Sequence, residues 1–114
     1  MRVPLRKQPS VALRRRRRQL LRQVPPLDRL LRGSLIERYI PCGKPGCKCA
    51  RGRGHGPKYY LSVSHYQRWP QMDYIPQNYY RDAAESLANY RRLREILDEI
   101  CDINHELFLR REAL

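Results

Sequence analysis

Over residues 76–111 apolar side chains recur every three or four positions, at Ala83, Leu87, Tyr90, Leu93, Leu97, Ile100 and Leu107, with Asn104 in phase. That spacing predicts one long amphipathic helix whose stripe faces one way. Ile96, Ile103 and Phe108 broaden the stripe beyond a narrow seam, while Arg91, Arg94, Glu95, Asp98, Glu99 and Glu106 occupy the remainder. A helix so patterned is expected to pack on a sheet near its start and on another helix near its end. Cys101, beside Ile100, reads as a core residue of the stripe.

Upstream the period changes. Residues 35–40, Leu-Ile-Glu-Arg-Tyr-Ile, are short and rich in β-branched and aromatic side chains, as a strand requires. Residues 58–64 alternate as a second strand, and residues 71–75 form a third, reached through an irregular turn around Tyr66 to Pro70. Together they predict a small antiparallel sheet, too small to be stable unaided. Residues 11–22 can make a short helix, but arginines appear on every side of it and leave no clean apolar face to dock. Pro25-Pro26 ends that piece, and Asp28 can cap a further turn before Gly33-Ser34. The fold class expected is α+β: a basic arm over 1–32, a small β domain with a Cys/His metal knuckle over 33–76, and a long helix over 77–112.

Charge adds a partner to this picture. The 114 residues carry a formal net charge of +13, far beyond what solubility needs, and such a field attracts polyanions. Residues 1–33 hold a net +10, residues 34–81 a net +6 and residues 82–114 a net −3. A polyanion would therefore meet the arm and the middle, leaving the helix for protein contact. No run approaches the roughly 18 apolar residues of a membrane span, and the start lacks the apolar segment of a secretory signal, so a cytoplasmic protein is expected. In a reducing compartment its four cysteines are expected as thiols or thiolates.

Three of those cysteines fall in one block, Cys42-Gly-Lys-Pro-Gly-Cys47-Lys-Cys49-Ala-Arg-Gly-Arg-Gly-His55. Three sulfurs and an imidazole within fourteen residues suit tetrahedral Zn²⁺, and the intervening glycines let the backbone bring them to one point. Cys42, Cys47, Cys49 and His55 are the expected ligands, with His65 an available substitute for the fourth. Lys44, Lys48, Arg51 and Arg53 crowd the loop, lowering thiol pKa values and offsetting the charge of the centre. The alternative is a loop of free thiols. A Cys47–Cys49 bridge across one residue would be strained.

Arg14, Arg15, Arg16, Arg17 and Arg18 form the densest charge run, and the planar guanidinium suits phosphate. Lys58, Arg68 and Trp69 extend the candidate surface. Tyr59, Tyr60, Tyr66, Trp69, Tyr74, Tyr79 and Tyr80 gather beside these cations, as a stacking platform for unpaired bases would. In the alternating pattern Tyr60 and Tyr74 are expected in the core and Trp69 at the surface.

Several blocks also match a known pattern: Gly33-Ser-Leu-Ile-Glu-Arg-Tyr39, Cys42-Gly-Lys-Pro-Gly-Cys-Lys-Cys49, His55-Gly-Pro-Lys-Tyr-Tyr-Leu61, Tyr74-Ile-Pro76 and Asn89-Tyr-Arg-Arg-Leu93. Over about residues 33–110 the chain resembles a family of short, uncharacterised bacterial and archaeal proteins, some of whose members are encoded near transposases. The resemblance implies a small sheet followed by a long helix, and joint action of Cys42, Cys47, Cys49 and His55. It implies no activity. The chain departs from the pattern at His65-Tyr-Gln-Arg-Trp-Pro70, which replaces a short hairpin turn, and the Arg-rich arm lies outside the match.

The function expected is a small zinc-stabilised nucleic-acid-binding protein, DNA or RNA, with service to a mobile element or recombination system as its expected setting. The alternative is an oligomeric adaptor whose C-terminal helix forms a coiled-coil-like homodimer or docks on a transposase or recombinase through Leu93, Leu97, Ile100, Asn104 and Leu107. Catalysis is not expected. The acids sit mainly on the helix, and Glu37 and Asp73 read as ordinary strand-surface carboxylates.

Overall fold

The computed structural model describes residues 3–41, 43–46, 52 and 54–114. The chain divides into two compact units, Leu31–Ala88 and Met1–Leu30 with Asn89–Leu114. The fold is α+β, with a three-stranded antiparallel sheet and a long C-terminal helix, as the periodicities predict. No helix among the described residues is long and apolar enough to cross a membrane.

The sheet unit holds β1 (Ser34–Ile40), β2 (His55–Val63) and β3 (Gln71–Ile75) in the order β1-β2-β3. β2 pairs Tyr59 with Glu37 on one side and with Ile75 on the other, while Tyr60 lies between Ile36 and Tyr74. The β1 pairing is irregular between Arg38 and Ile40 and ends on Ile40 opposite His55. Two glycines permit this closeness. Gly33 (φ +128°) leads into β1, where a Cβ would lie 2.5 Å from the Ser62 carbonyl oxygen. Gly54 (φ +95°) leads into β2, where a Cβ would lie 2.5 Å from the Ile40 carbonyl carbon and 2.6 Å from the Pro41 nitrogen. No other residue fits at either position without displacing backbone. Among the described residues, Leu61, Ala83 and Leu87 are the buried apolar residues of this unit.

After a 3₁₀ turn at Gln77–Tyr79, α2 runs from Tyr80 to Leu109. Its first turns belong to the sheet unit and the rest to the helical unit. In the helical unit the partner of α2 is α1 (Ser10–Arg22). Leu13, Leu20, Ile96, Ile103 and Leu107 form the core there, with Leu5, Val24 and Ile100 packed against it. The expectation that this arm has no face to dock is therefore corrected. Leu13 and Leu20 are seven residues apart, two helical turns, and two such leucines suffice to bury one stripe of a thirteen-residue helix despite five consecutive arginines. Polar contacts lock this helix pair. Arg110 donates to the Leu5 and Gln8 carbonyls at 3.0 and 2.7 Å and to Ser10 Oγ at 2.9 Å, and Asn89 donates to the Arg29 carbonyl at 3.1 Å.

The buried line of α2 is centred on Ile96, Ile103 and Leu107. Cys101, expected in the core, is exposed. It precedes Ile103 by two residues, about 200° of helix rotation, and so faces away. Leu97 and Phe108 each follow a centre-line residue by one position and are about half exposed.

Candidate nucleic-acid interface

Strand register divides the sheet's side chains into two faces. One carries Leu35, Glu37, Tyr59, Leu61, Asp73 and Ile75. The start of α2 covers part of it: the Tyr59 and Tyr80 rings stack with centroids 4.2 Å apart and planes tilted by 39°. Burial, with the Glu37 carboxylate as a lesser cause, pushes the Tyr59 phenol above the ordinary tyrosine range. Tyr39 Oη donates to Glu37 at 2.9 Å, and Gln71 donates to Asp73 at 2.9 Å. Both acids of residues 34–81 thus sit on this face.

The opposite face carries Ile36, Arg38, Lys58, Tyr60, Met72 and Tyr74, with no acid among them. Tyr60 and Tyr74 meet edge to face, centroids 5.8 Å apart and planes at 67°. The Arg38 guanidinium lies 5.5 Å from the Tyr60 ring centre, and its Nη2 is 3.9 Å from Met72 Sδ. Tyr74 is 56% and Met72 39% exposed, and Lys58 is exposed beside them. Tyr74 was expected in the core and is corrected to the surface, while Tyr60, half-buried, lies on this same open face. The buried residue of β2 is Leu61, whose same-face neighbour two residues away is Tyr59, so Tyr59 turns inward and Tyr60 outward. Arg38 and Met72 were missed by sequence reasoning, and this strand alternation is the signal that could have found them.

The β2–β3 turn places Trp69 at 92% and Tyr66 at 89% exposure with Arg68 exposed between them, so Trp69 is at the surface as its position predicts. His65 is held at this end of the sheet, its Nε2 3.2 Å from Gln71 Oε1 and its Nδ1 3.5 Å from Arg32 Nη2. The Cys/His loop leaves the other end of β2. Of its expected residues, Lys44 is exposed and His55 opens β2. Cys42, Cys47, Cys49, Lys48, Arg51 and Arg53 lie outside the described residues. Among the described residues no group of three or more His, Cys, Asp or Glu is placed to hold a metal ion.

The arginine run is split by its helix. Arg16 Nε donates to Glu99 at 3.0 Å, Arg17 donates to Asn104 Oδ1 and the Leu114 carbonyl at 2.6 Å each, and Arg14 donates to the Ala113 carbonyl. Arg15 and Arg18 are exposed. Of the candidate partner-helix residues, Leu107 and Ile100 pack against α1, Asn104 accepts from Arg17, Leu93 is half-buried and Leu97 is exposed.

No curated protein and no solved structure matches the chain. A family match covers residues 11–85, from α1 through the whole sheet to the first turns of α2, so it takes in the Arg-rich run expected outside the resemblance and stops short of the expected residue 110. The chain belongs to the family described as a domain of unknown function, DUF6788.

Proposed function

We propose that this chain is a small zinc-stabilised nucleic-acid-binding protein whose open sheet face takes up unpaired bases. The observation that carries the reading is the segregation of side chains on the sheet: Tyr60 and Tyr74 with Arg38 and Lys58 on one face, Glu37 and Asp73 on the other. Aromatic rings stack on any base, and cations beside them meet the backbone phosphates that flank it. Arg38 over Tyr60 adds a guanidinium plane to the platform. Trp69 and Arg68 in the β2–β3 turn supply a second stacking position on the same chemistry.

The donor set of the β1–β2 loop fits Zn²⁺. His55 opens β2 opposite Ile40, and Cys42 follows Ile40 by two residues in the chain, so the loop carrying the three thiols has its ends pinned beside the imidazole. His65 fits less well, since eight residues of strand, roughly 26 Å, separate His55 from the far end of β2. When bound, Zn²⁺ would supply a cross-link and no chemistry, because four protein ligands leave no open position.

The test is anisotropy of a labelled single-stranded oligonucleotide. Tyr60→Ala is expected to weaken binding about 5- to 150-fold, the range for loss of one base–aromatic stack. Unchanged affinity in a folded Tyr60→Ala, Tyr74→Ala double variant would remove the sheet face from the interface. A second reading, as an adaptor, is favoured by Leu97 and Phe108, which are 51% and 55% exposed on α2. It expects an oligomer that nucleic acid does not alter.

A further inference from the structure

We infer that the outward stripe of α1, Arg15, Arg18 and Arg22, is a separate contact surface for the phosphate backbone of nucleic acid, and that Arg16 and Arg17 of the same run are structural. The inference rests on the nucleic-acid-binding reading but uses none of the sheet residues.

The partition follows from helical phase. Leu13 and Leu20 fix the buried side of α1. Arg16 and Arg17 flank that side and are held by Glu99 and Asn104. Arg15 is two residues past Leu13 and Arg22 two past Leu20, each about 200° around the helix from the core. Arg18, four before Arg22, falls on the same outward side, and all three are exposed. Among the described residues, none of the three guanidinium groups has a hydrogen bond or ion pair.

This stripe is unfavourable to the protein alone. Arg15 and Arg18 are three apart and Arg18 and Arg22 four apart, spacings at which like charges oppose the helix. α1 contains no acid to offset them. The three guanidinium groups rise along the axis in steps of about 4.5 and 6 Å, so they can engage successive charges of a linear polyanion. A row of backbone phosphates relieves the repulsion and uses the bidentate geometry of each guanidinium.

The experiment compares the full chain with an Arg15→Gln, Arg18→Gln, Arg22→Gln variant by measuring oligonucleotide affinity between 0.05 and 1 M salt. Glutamine keeps helix propensity while removing charge. Each phosphate contact on a single strand contributes about 0.7 to the slope of log K against log salt, so the slope should fall in magnitude by about 2. With affinities converging at 1 M salt, that is about 50-fold at 0.15 M. Arg16→Gln, in contrast, should lower the melting temperature and leave the slope unchanged. A folded triple variant with the parental slope overturns the stripe and leaves the sheet reading intact. Failure of the parent to bind any oligonucleotide overturns both. Oligonucleotide binding intact, with loss only of binding to phosphatidylserine vesicles, would reassign the stripe to a membrane surface and overturn the inference.

Discussion

Leu20→Ala is expected to destabilise the helical unit by about 2–5 kcal/mol, the cost of deleting a fully buried leucine and leaving a cavity. Leu20 is 1% exposed and belongs to a core with five fully buried side chains among the described residues, so few neighbours can collapse into the space. A thirteen-residue helix is marginal in water without tertiary packing, and α1 carries five consecutive arginines besides. Loss of this contact should therefore release α1 from α2. Urea unfolding followed by helical circular dichroism reads the effect. Leu21→Ala, one residue along and 60% exposed, should change stability by no more than about 0.5 kcal/mol. Equal midpoints for the two variants would mean that α1 does not dock.

If the proposed zinc is bound, its removal is the second large perturbation. The sheet has three strands of seven, nine and five residues, and among the described residues the buried apolar side chains of its unit are Leu61 and, from α2, Ala83 and Leu87. A sheet so small needs a further constraint, and the proposed zinc cross-link in the β1–β2 loop would act where Gly54 lets the strand ends approach closely. A chelator, or Cys47→Ser, should lower the melting temperature of the sheet unit. A loss of 3 kcal/mol corresponds to roughly 12–24 °C for a unit of this size. Thiolate ligands must be deprotonated, so the stabilisation should shrink as pH falls, with metal released toward acid. Melting that is the same with and without chelator, and the same in Cys47→Ser, would detach the metal from the fold.

Elements with strong local periodicity were legible in the chain. β3 spans residues 71–75 as its alternation predicts, and α2 differs from the expected helix mainly where Pro76 and a 3₁₀ turn delay its start. Which side of an element faces in was harder to read. In Tyr59-Tyr60 both residues are aromatic, and only pairing with Glu37, Ile75 and Tyr80 shows that Tyr59 points to the covered face. In α1 the arginines mask two leucines seven apart, and nothing local tells that Glu99 and Asn104 lie opposite Arg16 and Arg17. Cys101 was misplaced for a related reason: Leu97 and Phe108 extend the apolar band sideways, so its centre on Ile96 and Ile103 emerges only once α1 packs against it. Long-range partners, not propensity, decide these positions.

Base stacking on the open sheet face is tested by ultraviolet cross-linking of the intact chain to a single-stranded oligonucleotide, with the linked residues mapped by mass spectrometry. Cross-links at Tyr60 and Tyr74 are expected, reduced by salt and absent from Tyr39 and Tyr59. Cross-links that avoid both Tyr60 and Tyr74, in a chain that binds the oligonucleotide, would contradict a base-stacking sheet face.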